Sequence, residues 1–263
     1  MDLQLTDKTA LVTGATGGIG LAIARALALE GAEVIITGRD QLKLDKAIAD
    51  IRTAGGEAAT GVLADAATAE GAAIIAKAAP SVDILVNNLG IYESKDFVAI
   101  TDADWSQLFE VNVMSGVRLS RAYLPGMLEL NWGRIIFIAS ESGLAIPPDM
   151  IHYATTKTAQ LSVSRGLAQL TRGTNVTVNA VLPGPTRSEG IEAFLRSQAN
   201  NPSAPIKEIE AEFFATARSA SILQRMVEAE EVANLVTYLA SPRSSATNGA
   251  ALRAEGGLVN TIA

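Results

Sequence analysis

Residues 9–20 read T-A-L-V-T-G-A-T-G-G-I-G, and this stretch decides how the rest of the chain can be arranged. Thr9 to Val12 is a short apolar run that is typical of a buried strand, and Leu21 to Glu30 follow a helical period. Glycines between a strand and a helix permit a tight turn, and they bring backbone N–H groups at the helix N-terminus close to a diphosphate. A glycine cluster by itself is unspecific, but its place between a strand and a helix predicts a dinucleotide-binding unit.

The rest of the chain alternates short apolar runs with amphipathic segments. Further strands are predicted at Glu33 to Thr37, Ala59 to Leu63, Asp83 to Val86, Ile135 to Ala139, Asn175 to Leu182 and Ala250 to Ala254. Alternation of this kind implies parallel strands with helices on both faces of the sheet. Because no repeat, linker or low-complexity segment interrupts it, the sequence predicts one α/β domain over residues 1–263, with about seven strands.

Residues 187–222 break this alternation. They contain helix-like pieces around Gly190 to Ala199 and around Lys207 to Arg218, with a segment rich in Asn and Pro between them. An insert of this size over the carboxyl end of a strand is most naturally an active-site lid. A dimer arm is the alternative interpretation.

Composition excludes several classes of protein. The chain is 48% hydrophobic and 19% charged, as expected for a globular core, and its net charge of −7 argues against nucleic-acid binding. It has no cysteine and its only histidine is His152, which excludes thiolate chemistry and multi-histidine metal sites. The first residues do not resemble a signal peptide, and no apolar run approaches the length of a membrane span. We therefore expect a cytoplasmic protein that acts on a small molecule without a metal and binds no membrane.

A second stretch, Ser140 to Lys157, carries candidate chemistry. Ser140 ends a buried apolar run, and Tyr153 and Lys157 are four residues apart, so a helix places both side chains on one face. A nearby ammonium lowers the pKa of a phenol from its usual value of about 10, and a serine hydroxyl can hold a carbonyl oxygen beside it. These groups suit proton transfer in a carbonyl/alcohol couple. In isolation such a pair is more often part of an ordinary amphipathic helix, so the other motifs decide between the two interpretations.

The end of the second predicted strand bears on cofactor choice. An acidic residue at this point binds the 2′-hydroxyl of NAD, whereas arginine suits the 2′-phosphate of NADP. Gly38 stands at the acidic position and Arg39 follows it, which favours NADP(H) and leaves NAD(H) as the second choice. A solvated Arg39 is the alternative. Asp40 either approaches this site or caps the following helix, which is predicted to run to Thr53.

In their order and spacing, the motifs of the chain resemble those of the short-chain dehydrogenase/reductase family, including its 3-oxoacyl-reductase-like members. The matching residues are T-G-x-x-x-G-x-G at Thr13 to Gly20, Asp65, N-N-x-G at Asn87 to Gly90, Asn112, Ser140, Tyr153-x-x-x-Lys157 and Pro183-Gly184. The resemblance covers nearly the whole chain, and it implies a Rossmann-type, doubly wound parallel sheet. It further implies a catalytic tetrad of Asn112, Ser140, Tyr153 and Lys157, in which Asn112 holds a water that connects Lys157 to solvent.

The same resemblance implies which residues bind the cofactor. They are Gly14, Thr16, Gly18, Ile19, Gly20, Arg39, Asp65, Ala66, Asn88, Gly90, Tyr153, Lys157, Pro183, Gly184 and Thr186. Asp65 is expected at the adenine, Lys157 at the nicotinamide ribose and Thr186 at the nicotinamide amide. Leu89 stands where the family most often has alanine, and Glu255 replaces a more usual aspartate; we interpret both as marks of a subfamily.

The expected function is that of an oxidoreductase that uses NAD(P)(H) to interconvert a carbonyl compound and a secondary alcohol, most simply an NADPH-dependent ketoreductase. Glu129 to Trp132 and the acidic chain discourage docking of an acyl carrier protein, so a free carbonyl compound of small or medium size is preferred. The alternative is a non-catalytic dinucleotide-binding redox sensor or scaffold. The resemblance also implies a homotetramer or homodimer, assembled through the helices that begin near Thr101 and Ile151.

Overall fold

The computed structural model describes residues 1–188 and 190–262. Its strands are β1 (Thr9–Val12), β2 (Glu33–Gly38), β3 (Thr60–Leu63), β4 (Ile84–Asn87), β5 (Gly133–Ile138), β6 (Val176–Pro183) and β7 (Ala251–Ala254). In the described ranges these seven strands form one sheet in the order β3-β2-β1-β4-β5-β6-β7, and all neighbouring strands are parallel. Each strand overlaps one predicted from the sequence.

Helices cover both faces of this sheet. They are α1 (Gly18–Leu29), α2 (Gln41–Thr53), α3 (Ala69–Ala78), α4 (Asp102–Phe109), α5 (Ser115–Glu129), α6 (Ile151–Leu170), α7 (Ile191–Gln198), α8 (Ile206–Ala215) and α9 (Ala229–Ala240). Helices α1, α2 and α9 pack on one face, and α3, α5 and α6 pack on the other. Successive strand side chains point to opposite faces, so Leu11 joins the second cluster while Ala10 and Val12 join the first. The predicted doubly wound, Rossmann-type fold is confirmed.

The strand order changes direction at β1, because β2 and β3 lie on one side of it and β4 to β7 lie on the other. In an open parallel sheet a crevice forms at this point, outside the carboxyl ends of the strands. The segments that follow β1, β4, β5 and β6 therefore meet at one edge of the sheet. They bring together Gly14, Asn88, Ser140 and Gly184, all of which line one cavity.

The helix predicted from Thr101 begins as expected but is not uniformly α-helical. The Thr101 hydroxyl accepts a hydrogen bond from the backbone N–H of Asp104 at 3.2 Å, and the Asp104 carboxylate accepts one from the Thr101 N–H at 2.8 Å. Residues Glu110–Met114 then form a π-helical turn, and α5 continues through Pro125. The sequence pattern predicts neither the π-helical turn nor the passage through Pro125.

The insert after β6 forms a layer of its own. Helices α7 and α8, both predicted, pack around a separate apolar cluster made of Leu195, Ile209, Phe213, Phe214 and Met226. Glu189 falls within the predicted lid and lies outside the described residues. Among the helices of the described ranges, none has the length and apolar character that crossing a membrane requires.

Candidate active site

The turn after β1 forms a backbone cradle at the N-terminus of α1. Gly14 and Gly18 have φ angles of +61° and +54°, which residues with a Cβ rarely adopt. At Gly20 an added Cβ would lie 2.4 Å from Asn88 Nδ2 and 2.8 Å from the Gly14 carbonyl oxygen. Gly17, the N-cap of α1, has open space around it and makes no side-chain cap. The first-turn N–H groups can therefore receive the phosphates of a dinucleotide.

Polar contacts hold this cradle against the loop after β4. The Thr13 hydroxyl accepts hydrogen bonds from the backbone N–H groups of Asn88 and Leu89, both at 3.0 Å. The Asn88 amide donates in return to the carbonyl oxygens of Thr13 at 2.9 Å and Gly14 at 3.2 Å. Leu89 fits in place of alanine because Gly14 has no side chain: a Cβ there would lie 3.1 Å from Leu89 Cδ1. Asn88 thus lies at the cavity wall as a residue that holds the cradle in shape.

The end of β2 presents a cation and no carboxylate. Arg39 is exposed and makes no hydrogen bond or ion pair with the described part of the chain. Asp40 turns away, because its carboxylate accepts a hydrogen bond from the Lys43 N–H at 3.0 Å and caps α2. At Gly38 an added Cβ would lie 2.5 Å from Thr16 Cγ2, so a larger side chain fits there only if Thr16 moves.

The remaining predicted cofactor residues fall into two groups. Asp65 and Ala66 follow β3 and lie next to the end of β2, since Leu63 pairs with Gly38. These two, with Thr16 and Arg39, are outside the lining of the main cavity. The lining includes the others, which are Gly14, Gly18, Ile19, Gly20, Asn88, Gly90, Tyr153, Lys157, Pro183, Gly184 and Thr186. The predicted set therefore extends from the strand ends of β2 and β3 to the cavity.

Asn112 lies in the π-helical turn and holds the loop after β4. Its Oδ1 accepts from the Ile91 N–H at 2.8 Å, and its Nδ2 donates to the Ile91 carbonyl at 2.9 Å and to Thr156 Oγ1 at 3.0 Å. Its backbone carbonyl accepts a hydrogen bond from Gln160 Nε2 at 2.6 Å. Asn112 is buried and does not line the cavity, so its geometry is that of a positioning residue for Gly90 and Ile91. The water site expected beside it remains a prediction.

Ser140, Tyr153 and Lys157 come together at the carboxyl end of β5. Lys157 donates from Nζ to the Ile138 carbonyl oxygen at 3.0 Å, and the same nitrogen lies 5.6 Å from the centroid of the Tyr153 ring. Burial lowers the pKa of Lys157 to about 8, because the ammonium loses its hydration, while the Glu141 carboxylate partly opposes this shift.

The pKa of Tyr153 is raised above its ordinary value, opposite to the lowering predicted from Lys157. Burial is the largest cause, because a phenolate in this cavity is poorly solvated, and the Glu141 carboxylate repels it further. The Ser140 hydroxyl and the Arg218 guanidinium act in the other direction without reversing the shift. The prediction was wrong because it considered the ammonium alone and omitted both burial and Glu141.

A buried carboxylate, Glu141, directly follows Ser140 and belongs to none of the motifs. The Ser140 hydroxyl donates to its Oε2, and the Ser142 hydroxyl donates to its Oε1 at 3.2 Å. Arg218, which follows α8, places Nε 3.7 Å from Glu141 Oε1. Burial raises the pKa of Glu141, and these three partners oppose the rise. The sequence signal for Glu141, which the motifs do not include, is a charged residue three positions after the end of a strand that is buried along its whole length.

A cavity of about 320 Å³ lies over these groups, and Tyr92 and the insert form an aromatic wall on one side of it. The Tyr92 ring meets Tyr153 edge-on with centroids 6.2 Å apart, and Phe194 of α7 meets Tyr92 in the same way at 5.7 Å. The sequence motifs do not predict these two residues or further lining residues, among them Ile91, Met150, Pro185, Ser188, Ile191 and Phe213. They are missed because their places depend on how the loops and the insert fold.

The loop after β6 is supported by the C-terminal segment. The Thr186 hydroxyl donates to the Gly184 carbonyl at 2.8 Å, and a Cβ on Gly184 would lie 2.8 Å from the Glu255 carbonyl oxygen. The Glu255 carboxylate accepts hydrogen bonds from the backbone N–H groups of Leu258 and of Val259, the latter at 3.2 Å. Glutamate in place of aspartate therefore holds a turn that packs behind the Gly184 loop.

Comparison with known proteins agrees with this geometry. The family described as short chain dehydrogenase matches residues 8–199. The uncharacterized oxidoreductase YvaG of Bacillus subtilis is 52% identical over 100% of both chains. The 3-oxoacyl-[acyl-carrier-protein] reductase FabG of Aquifex aeolicus is 33% identical, over 98% of this chain and 100% of the relative. Among solved structures, L-sorbose reductase from Gluconobacter frateurii, complexed with NADPH and L-sorbose, matches with a TM-score of 0.93 at 29% identity over 100% of both chains.

Proposed function

The chain belongs to the short-chain dehydrogenase family of oxidoreductases, which act on CH–OH groups with NAD(P), and we propose that it is an NADPH-dependent ketoreductase. The observation that carries the proposal is the convergence of Ser140, Tyr153 and Lys157 on a cavity beside the glycine cradle. The alternative of a non-catalytic redox sensor or scaffold has less support, because no residue of the predicted tetrad is missing.

A nicotinamide dinucleotide supplies the hydride when it is bound. The cradle would hold its diphosphate, Arg39 its 2′-phosphate and Asp65 its adenine, while Lys157 and Thr186 would hold the nicotinamide end. The uncommitted guanidinium of Arg39 and the closed position at Gly38 support NADP(H) over NAD(H). The solved structure of L-sorbose reductase contains NADPH.

Tyr153 would give its proton to the substrate oxygen as the carbonyl carbon receives the hydride, which completes the reduction to an alcohol. A phenol is protonated at neutral pH even at its usual pKa of about 10, and the raised pKa of Tyr153 keeps it so, as a proton donor must be. Ser140 would hold the oxygen, and Lys157 would stabilise the phenolate that remains. Asn112 would keep the Ile91 loop in place beside them.

The substrate that we favour is a free carbonyl compound of small or medium size. The cavity of about 320 Å³ supports this, as does the absence of basic residues in Glu129 to Trp132, where an acidic carrier protein would need them. The names of the similar proteins point to different substrates: the Aquifex aeolicus relative is named for an acyl carrier protein, and the solved structure is that of an L-sorbose reductase. We also propose a homotetramer or homodimer and a cytoplasmic location, which rest on the family and on the acidic, cysteine-free sequence.

The test is a panel of ketones and alcohols, assayed by absorbance of the reduced nicotinamide, with wild-type protein and Tyr153→Phe. We expect the variant to lose at least about a hundredfold in turnover, because only the proton donor is removed. It should bind NADPH as the wild type does. Tyr238→Phe, on the exposed side of α9, is the matched control. Near-wild-type turnover by the Tyr153 variant contradicts the assignment, and turnover of no compound favours the sensor.

A further inference from the structure

A donor and an acceptor lie side by side on the cavity wall, next to the serine of the proposed reaction. We propose that Glu141 and Arg218 together bind a hydroxyl group of the substrate, so that the preferred substrates are hydroxy ketones or hydroxy aldehydes. The inference rests on the proposed ketoreductase function and names its substrate class. Neither Glu141 nor Arg218 is needed for hydride or proton transfer as described above, and both line the cavity.

The hydrogen bonds of Glu141 leave room for another donor. An ionised carboxylate offers about four lone-pair sites. The hydroxyls of Ser140 and Ser142 each donate to one of its oxygens, and Arg218 Nε at 3.7 Å is beyond hydrogen-bond distance. The carboxylate is 5% exposed, so a further donor can reach it only from the cavity.

Arg218 has the complementary capacity. Its Nη1 donates to the Ala217 carbonyl at 2.8 Å, and among the residues that the structure describes its other N–H groups have no acceptor within hydrogen-bond distance. The guanidinium lies 5.4 Å from the centroid of the Phe213 ring, and the Arg218 backbone N–H donates to the Phe213 carbonyl at 3.0 Å. Its side chain is 14% exposed. Guanidinium N–H groups of Arg218 that have no acceptor are therefore held beside the Glu141 carboxylate, which can accept one more hydrogen bond.

The opposite charges of this pair select the kind of group that it binds. A substrate carboxylate would be attracted by Arg218 and repelled by Glu141, and an ammonium would meet the reverse. A hydroxyl fits both partners, because it donates one hydrogen bond and accepts others. A hydrocarbon would leave the charged pair desolvated without a partner, which costs free energy. The pair thus favours a neutral, hydroxyl-bearing compound.

The position of Glu141 restricts where the hydroxyl sits on the substrate. The Ser140 hydroxyl has a single proton, which it donates to Glu141 in this structure and which would turn to the carbonyl oxygen when the substrate binds. A group bound to Glu141 is therefore a close neighbour of the reacting oxygen, and a hydroxyl on the carbon next to the carbonyl satisfies this. The apolar walls of the cavity, such as Ile91, Met150 and Phe194, are left for the rest of the molecule.

The experiment compares 1-hydroxybutan-2-one with pentan-3-one, which differ only by a hydroxyl in place of a methyl group. We expect the wild type to show a kcat/KM that is roughly ten- to a hundredfold higher for the hydroxy ketone, since hydrogen bonds to charged groups are the stronger ones. In Glu141→Leu and in Arg218→Leu this ratio should fall towards one. Glu192→Leu, which removes an exposed lid carboxylate paired with Arg196, is the matched control and should keep the ratio.

The wild-type ratio tests the inference even if a variant fails to fold. Equal kcat/KM for the two ketones, with Tyr153-dependent turnover of both, overturns the hydroxyl site and leaves the ketoreductase intact. A higher kcat/KM for 2-oxobutanoate than for either ketone also overturns it, because Arg218 then binds an anion in spite of Glu141. A ratio that stays high in both leucine variants shows that the preference arises elsewhere and overturns the assignment. Failure to reduce any ketone, with NADPH bound, removes the proposed function itself.

Discussion

Burial, more than any single ion pair, controls the charges around the reacting oxygen. The pKa values of Lys157, Glu141 and Tyr153 are each shifted towards the neutral form, with loss of hydration as the largest cause. The phenol is protonated at neutral pH with or without this rise in pKa, and the proposed reduction of a carbonyl needs it in that form. The buried lysine carries a cost in stability, because the unfolded chain holds its proton more tightly.

That cost can be measured as a pH dependence. Lys157 has a pKa of about 8 when folded, against about 10.4 when unfolded, so between these values the unfolded chain binds more protons. We expect the free energy of unfolding of the wild type to rise relative to that of Lys157→Met by about 1.4 kcal/mol per pH unit above pH 8. Urea unfolding at pH 7 and pH 9.5, without cofactor and at one protein concentration, gives the comparison.

The exposed Lys43 provides the control for this measurement. Lys43→Met should change stability by the same amount at both pH values, because the side chain is exposed and loses little hydration on folding. If the difference between wild type and Lys157→Met is also independent of pH, the ammonium is well solvated in the folded protein and the argument from burial fails.

Cofactor choice is likewise decided by single residues. Arg39 can bind a 2′-phosphate through two charged hydrogen bonds, each worth roughly 1.5–3 kcal/mol. We expect NADPH to bind about ten- to a hundredfold more tightly than NADH, as measured by fluorescence titration. Arg39→Ala should remove most of this difference, whereas Arg52→Ala, at the far end of α2, should not. Equal affinities in the wild type would mean that Arg39 stays in solvent.

A switch to NADH needs more than a carboxylate at position 38. Gly38→Asp together with Arg39→Ala supplies the acidic residue, but the new Cβ would meet Thr16 Cγ2 at 2.5 Å. Thr16→Ser removes that methyl group. We therefore expect the triple variant to prefer NADH, whereas the double variant should bind both cofactors poorly. Here the sequence predicts the position of the switch, and only the structure shows its steric condition.

Residues that act through local spacing can be predicted from the sequence, and residues that meet only in three dimensions cannot. Ser140, Tyr153 and Lys157 are found because a strand end and one helical turn bring them together. Glu141 adjoins Ser140, yet its burial and its pairing with Arg218 depend on how the insert folds back. The direction of the Tyr153 pKa shift fails for the same reason, since it depends on that folding.

Among the elements, the insert at residues 187–222 is the one that we expect to move, as a lid would. Helices α7 and α8 have their own apolar cluster, and Arg187 contacts both Glu210 of α8 and the exposed Glu228, in each case at 3.1 Å. The insert also meets the cavity wall through the buried pair of Arg218 and Glu141. Because its apolar cluster is separate from the two that cover the sheet, we expect this layer to open without disturbing the sheet. Aromatic contacts from Phe194 to Tyr92 connect it to the reacting centre.

We therefore predict that residues 187–222 become ordered when cofactor and substrate bind. Hydrogen exchange of this segment should slow with NADP and an alcohol product present, because the aromatic contacts then close over the ligand. Exchange in α2, on the far face of the sheet, serves as the internal control. Equally slow exchange in the segment with and without ligands would favour the dimer arm instead.

The π-helical turn shows where prediction of elements stops. The helix start at Thr101 is predicted from its capping residues, and the structure has the expected capping box. The π-helical turn at Glu110–Met114 has no such local signature. Within this turn the backbone carbonyl oxygen of Asn112 accepts a hydrogen bond from Gln160 Nε2. Tertiary contacts, which no local pattern encodes, select that geometry.

At the scale of the whole molecule, two general rules restrict the order of the strands. Crossovers between parallel strands are right-handed, and helices on both faces require the chain to reverse once across the sheet. The strand positions therefore predict a doubly wound parallel sheet, whereas the order β3-β2-β1-β4-β5-β6-β7 is one of several that such a sheet can take, and the family resemblance implies it. Assembly does not follow from the strand positions, because it depends on which apolar residues remain on the surface after the two cores are filled.

The face formed by α5 and α6 is where we predict that copies of the chain meet. Its groove is lined by Val117, Arg121, Leu124, Pro125, Val163, Leu167 and Leu170. Of the other apolar residues on or next to these helices, Val113 is 6% exposed and belongs to the interior. Leu161 and Val163 both pack partly against the core, but of these two only Val163 lines the groove. Val117 and Val163 remain as the predicted contacts.

Replacing Val117 and Val163 by glutamate should dissociate the assembly, because two like charges per copy would be buried at a self-complementary surface. Light scattering at micromolar concentration should then give the mass of one chain, while circular dichroism stays that of the wild type. Leu42→Glu, at an 82% exposed position on α2, is the matched control and should leave the mass unchanged. A wild type that is already monomeric under these conditions contradicts the prediction. A double variant that keeps the wild-type mass moves the interface away from α5 and α6, and the exposed apolar residues Ile222 and Leu223 then become the next surface to test.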